Sequence, residues 1–78
     1  LLVRGATVAG ARIVGERHLK LYLRQDRGAL AGIAFGAADA GIKQGSSIDA
    51  LVTPERNEWQ GRSAIEFRLR DWRPAKAL

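Results

Sequence analysis

Eight residues of this chain have side chains suited to holding a polyanion. His18, Lys20, Tyr22 and Arg24 alternate with leucines in "GERHLKLYLRQ", Arg17 precedes them, and Arg56, Trp59 and Arg62 fall in "RNEWQGR". A guanidinium presents a planar fork of donors to phosphate and stacks on rings, whereas an ammonium acts as a point charge. Aromatic rings accept unstacked bases whatever their sequence. Cations along a phosphodiester track, with rings between them, are therefore the chemistry this set would do. Trp59, at the apex of a polar stretch, is the first stacking candidate and Tyr22 the second; the alternative for each is a ring laid over the barrel. The alternative for the cations is a solvated charge loosely paired with Glu16, Glu55 or Glu58, worth only ~0–1 kcal/mol per pair.

Nothing comparable points to catalysis. One histidine, no cysteine and no clustered carboxylates leave no expected metal site, no nucleophile with a base and no acid–base pair. "GAADAG" lacks the spacing of a phosphate-cradling glycine motif. His18 reads as a binding-face residue, and no cofactor is expected in this domain.

Composition agrees with a basic binding module. Thirteen Lys and Arg, ten of them arginine, against eight Asp and Glu give a net charge of +5, which favours a polyanionic partner. With 78 residues, 46% of them hydrophobic, the chain makes one small globular domain, burying a little over ~60% of its unfolded surface. No apolar run approaches the ~18 residues of a membrane-spanning helix, so no membrane association is expected. The lack of cysteine fits a reducing, cytoplasmic setting. The chain contains no methionine and opens on "LLVRG", which reads as a piece of a longer protein, with residues 1–6 a linker and 75–78 a tail.

The elements that must position these side chains are strands. Apolar alternation separated by glycine-containing breaks predicts an all-β domain. Thr7–Val14, His18–Arg24 and Ala29 to about Phe35 form a meander, with turns at Gly15–Arg17 and at "QDRG". "AADAGIKQG" predicts about two turns of helix, stopped by Gly45. A fourth strand lies in "SSIDALVTPE", where Pro54 marks a bend or a position whose N–H the ladder does not need, and a fifth in "SAIEFRLRDW". Arg56–Arg62 is expected as the hairpin loop between them, with Gly61 at a positive φ. Trp72 is read as packing at the strand end, where Pro74 stops the sheet.

Three strands, a short helix and two strands are the element order of a five-stranded OB-fold, a Greek-key barrel. A small SH3-like barrel is the competing plan, and the helical insert argues against it. OB-folds bind oligonucleotides on strands two and three, between the loops joining strands one to two and four to five. This plan sets Arg17, His18, Lys20, Tyr22 and Arg24 beside Arg56, Trp59 and Arg62. Arg68 and Arg70, on strand five, are expected off that groove. "LAGIAF" is apolar on both faces, so Ile33 and Phe35 either offer a surface to bases or are covered by the rest of the protein.

"RIVGERHLKLYLR", "AGIAFG", "GIKQGSSIDALV", "NEWQGR" and "LRDWRP" together resemble the C-terminal OB domain of the bacterial single-strand-specific exonuclease RecJ, over about residues 10 to 74. The resemblance implies a domain that holds single-stranded DNA for a 5'-to-3' exonuclease. That enzyme's DHH-type core, using Mg or Mn, carries the reaction. None of the core's Asp and His motifs is present here, so no catalytic or metal residue transfers. Pro54 in strand four and Gly32 in strand three depart from the family's pattern. The partners expected are single-stranded DNA, the rest of the exonuclease and a single-strand-binding protein. The alternative is a docking module within the parent enzyme or on that protein.

Overall fold

The computed structural model describes residues 1–26 and 28–75, without the side chains of Asn57, Trp59 and Arg62. Five strands follow in order: β1 (Leu2–Val14), β2 (His18–Gln25), β3 (Gly28–Ala34), β4 (Ser47–Trp59) and β5 (Arg62–Pro74). They close into a barrel in the order β1-β2-β3-β5-β4. All neighbours are antiparallel except β3 and β5, which run parallel at Gly32↔Phe67 and Ile33↔Arg68. This is the OB-fold plan, and the parallel closure sets it apart from a simple meander.

Alternation builds the wall. Leu19, Leu21 and Leu23 of β2 point inward and are 5%, 0% and 2% exposed, and they meet Val8, Ile48, Ala50, Val52 and Phe67 in one core. Each large apolar side chain fully buried there contributes roughly 1.5–3 kcal/mol. Trp72 is half-buried against the same cluster, as expected of a packing residue, and β5 ends at Pro74.

Four expectations need correction. β1 begins at Leu2, not Thr7: Leu2–Thr7 pair with β4, and Val3 and Ala6 enter the core, so residues 2–6 are wall and not linker. The strand bends between its two partners through register shifts at Val3/Ala6 and Val8/Gly10, as bulged strands do at barrel corners. At the other end, Ala75, placed in the expected tail, donates its N–H to Ser47 O at 2.9 Å.

The expected helix is absent from the described residues, and the segment from 35 to 46 consists of short turns joined by irregular backbone. Gly36, Gly41 and Gly45 have φ of 71°, 81° and 89°, left-handed values that stop helix propagation. Ile42 nonetheless reaches the core at 8% exposure, with Ala37 and Ala40 packed beside it. The connector thus covers the core with side chains where a helix was expected to do so.

Arg56–Arg62 is not a loop. The β4–β5 ladder continues through Arg56↔Ile65 and Glu58↔Ser63 to Trp59↔Arg62, and the turn is Gln60–Gly61 alone, at φ 48° and 75°. Those paired positive values mark the two-residue hairpin turn whose twist suits the strands. Toward the turn, β1 pairing with β4 ends at Leu51 and β3 pairing with β5 at Phe67, so this end of the hairpin projects as a two-stranded ribbon. Its reach shows in overall dimensions of 44 × 30 × 18 Å. Pro54 falls where β4 has run past β1, so its missing N–H leaves no β1 bond unmade.

Candidate nucleic-acid interface

The outer side of β2 carries the predicted row, and the rest of the barrel decides what stands beside it. Arg17 is exposed in the Gly15–Arg17 turn, which Gly15 and Glu16 make at φ 59° and 66°. Its carbonyl accepts the Ala38 N–H at 3.0 Å, tying this turn to the connector. His18 is half-buried. Its Nδ1 accepts the Gly36 N–H at 2.9 Å, and its ring meets Phe35 edge to face, centroids 5.1 Å apart at 73°.

Lys20 is engaged within the barrel: its Nζ lies 2.5 Å from Glu66 Oε2, with the two side chains 22% and 30% exposed. Its partner is therefore a β5 carboxylate and none of the three expected. Tyr22 is 40% exposed and lies along β1, where a Cβ on Gly10 would sit 3.1 Å from Tyr22 Cδ2. One side of that ring covers backbone while its rim meets solvent. Arg24 is exposed and is flanked in register by Thr7 and Ala29.

Arg68, expected as a strand-five residue off the groove, stands beside the β3 end. Parallel pairing sets it beside Ile33, and its guanidinium carbon stands 4.8 Å from the centroid of the Phe35 ring. Such a cation–π contact is worth ~0.5–1 kcal/mol at an exposed site. Glu55 holds the same guanidinium from the β4 side at 3.9 Å. Phe35, left open between two readings by its sequence, is 52% exposed, with His18 in edge-to-face contact and Arg68 over its ring.

Lys20, Ile33, Phe35, Glu55, Glu66 and Phe67 line a cleft of ≈ 260 Å³ on this side. A second hollow of ≈ 290 Å³, lined by Leu2, Asp49, Leu51, Asp71, Trp72 and Arg73, lies where β1, β4 and β5 meet. There Asp49 accepts the Gly5 N–H at 2.8 Å and the Arg73 Nε–H at 3.1 Å. The Gly5 hydrogen bond first, and Arg73 second, hold its carboxyl below the usual 3.8. This serves the bend in β1 and touches none of the eight predicted residues.

The structure thus brings His18 and Lys20 together with Phe35, Arg68, Glu55 and Glu66, and ranges Tyr22 and Arg24 along the same strand. It does not bring Arg56 there: Arg56 shares the parity of Pro54 and Phe67 on the ribbon, opposite to Glu55 and Glu66. Trp59 and Arg62 pair at the ribbon tip by backbone, and their side chains lie outside the described set. Phe35 is one of the two residues the sequence left open, whereas the place of Arg68 beside it depends on barrel closure; the available signal was the outward alternation of Glu66, Arg68 and Arg70 on β5. The face offers a ring, a stem-buried lysine, guanidinium groups and two carboxylates. Among the described residues no three His, Cys, Asp or Glu side chains come together as a metal site, and no helix is long and apolar enough to cross a membrane.

No curated protein and no solved structure matches the chain. The family model described as the RecJ OB domain matches residues 1–71, nearly the whole length, and with the closed five-stranded barrel this establishes that the chain belongs to the RecJ OB domain family.

Proposed function

We propose that this domain is the single-stranded-DNA-binding accessory domain of a RecJ-type 5'-to-3' exonuclease, gripping and guiding the strand while a metal-dependent core elsewhere in the parent protein cuts it. The observation that carries this reading is the half-exposed Phe35 ring, set among Arg68, His18 and Lys20 on the side where this barrel type receives oligonucleotides. Bases stack on the ring, and Arg17, Arg24 and Arg68 meet phosphates, joined by Arg62 and Trp59 from the ribbon tip. The parent acts in the cytoplasm, in DNA repair and recombination, alongside a single-strand-binding protein.

Fluorescence anisotropy with a labelled oligonucleotide at low salt tests this. Binding should weaken with salt at a log–log slope of roughly −2 to −3.5 for three to five phosphates, and Phe35→Ala should cost ~1–3 kcal/mol. No binding at high domain concentration would defeat the reading for this domain.

A second reading, docking on the rest of the parent enzyme, is favoured by the exposure of Leu1, Leu2 and Leu51 at 72%, 49% and 44%. Contiguous exposed apolar residues commonly mark such contacts. Charge reversal at Arg17 and Arg24, both exposed, separates the two, since it weakens oligonucleotide binding only under the first.

A further inference from the structure

Phosphate tracking leaves the acidic side of the cleft without a use. Glu55 and Glu66 stand directly opposite each other on β4 and β5, and like charges in that relationship are destabilising. Each is set against a cation, Glu66 with Lys20 and Glu55 with Arg68. The 3.9 Å between Glu55 Oε1 and Arg68 Nη1 exceeds hydrogen-bond range, and the Glu55 side chain is 44% exposed. Ile33, Phe35 and Phe67 supply apolar walls to the same cleft. Two carboxylates repel a phosphate seated among them, but they suit the edge of a base, whose amino and imino groups are donors.

We propose that this cleft is a base-reading subsite selective for guanine, stacked at Phe35 with its Watson–Crick edge toward Glu55 and the Lys20–Glu66 pair. The proposal rests on the single-strand reading above. Guanine presents N1–H and the N2 amino group side by side, a donor pair that matches the two oxygens of one carboxylate. Its adjoining O6 is an acceptor, and Lys20, held in place by Glu66, brings an ammonium donor to the same cleft. Adenine and cytosine offer one amino group each. Thymine offers a single N3–H between two carbonyl oxygens, which a carboxylate repels. A site built to accept from donors disfavours the base that lacks them.

Fluorescence anisotropy at low salt, comparing a short oligothymidylate with the same strand carrying single guanines at spaced positions, tests the assignment. The domain should bind the guanine-bearing strand about five- to tenfold more tightly. Glu55→Gln should reduce that preference below about twofold while leaving oligothymidylate binding equal or tighter, with thermal unfolding confirming that the variant folds. Equal affinity of the unmodified domain for both strands would overturn the proposal, as would a full guanine preference surviving in both Glu55→Gln and Glu66→Gln. Binding of neither strand would defeat the single-strand reading itself, and this subsite with it.

Discussion

The ring and the carbonyl of Phe67 occupy the space that a Cβ on Gly32 would need. These residues are partners in the parallel β3–β5 pairing that closes the barrel, so the absence of a side chain at position 32 is a condition of closure. Gly32→Ala should destabilise the domain by ~1–3 kcal/mol, the usual cost of overpacking, seen as a lowered midpoint in thermal or urea unfolding. Because the obstruction includes the Phe67 carbonyl, Phe67→Leu should not rescue it. A rescue would mean the clash is confined to the ring.

Asp49 should make stability depend on pH in one direction. Its folded pKa is lowered by the Gly5 N–H and by Arg73, so its contribution is present above the ordinary carboxylate pKa and is lost as pH falls through the folded value. The melting-temperature gap between the unmodified domain and Asp49→Asn should be full near neutral pH and should close as pH falls below the ordinary carboxylate range. A gap that does not change with pH would assign Asp49 a role independent of its charge.

Lys20 and Arg24 should differ as phosphate contacts although they lie on the same face of β2, four residues apart. Arg24 is exposed, and Arg24→Ala should flatten the salt slope of oligonucleotide binding by ~0.7, one phosphate on a single strand. Lys20 is held by Glu66, so Lys20→Ala should flatten it by less. Equal changes in anisotropy titrations over a range of salt would show that the Lys20–Glu66 pair opens on binding.

The turn at the ribbon tip should respond to its own backbone. Gln60 and Gly61 both adopt positive φ, a conformation for which Asn-Gly is the preferred pair. Gln60→Asn should stabilise the ribbon by a few tenths of a kcal/mol, and Gly61→Ala should destabilise it by ~1 kcal/mol. Amide exchange of the residues around the turn would report both.

What was legible beforehand was local. The leucines of β2 face the core and have polar side chains across the strand from them, so strand and face both followed from period two. The ribbon was read as a loop because its described residues from Pro54 to Ile65 are exposed on both faces, which erases the alternation that marks a strand. Ala-rich composition suggested a helix at 37–45, and three glycines in left-handed conformations overrode it. Arg68 was placed off the groove because its neighbour Ile33 is 35 residues away in the chain, joined to it by a parallel pairing that no local pattern announces. Of the predicted site, His18 and Lys20 reach the cluster around Phe35 because they share a strand face, whereas Arg56 has the opposite parity.

The projecting β4–β5 ribbon also gives this barrel an adjustable length. Beyond the Glu55–Glu66 pair the ladder pairs with no third strand among the described residues, so residue pairs can be added or removed there without disturbing the closed wall. Each pair changes the reach by roughly 3.3 Å. Removing one pair moves the turn to a position of opposite parity, whereas removing two preserves it. Evolutionary change in this arm should therefore proceed in steps of four residues, two per strand.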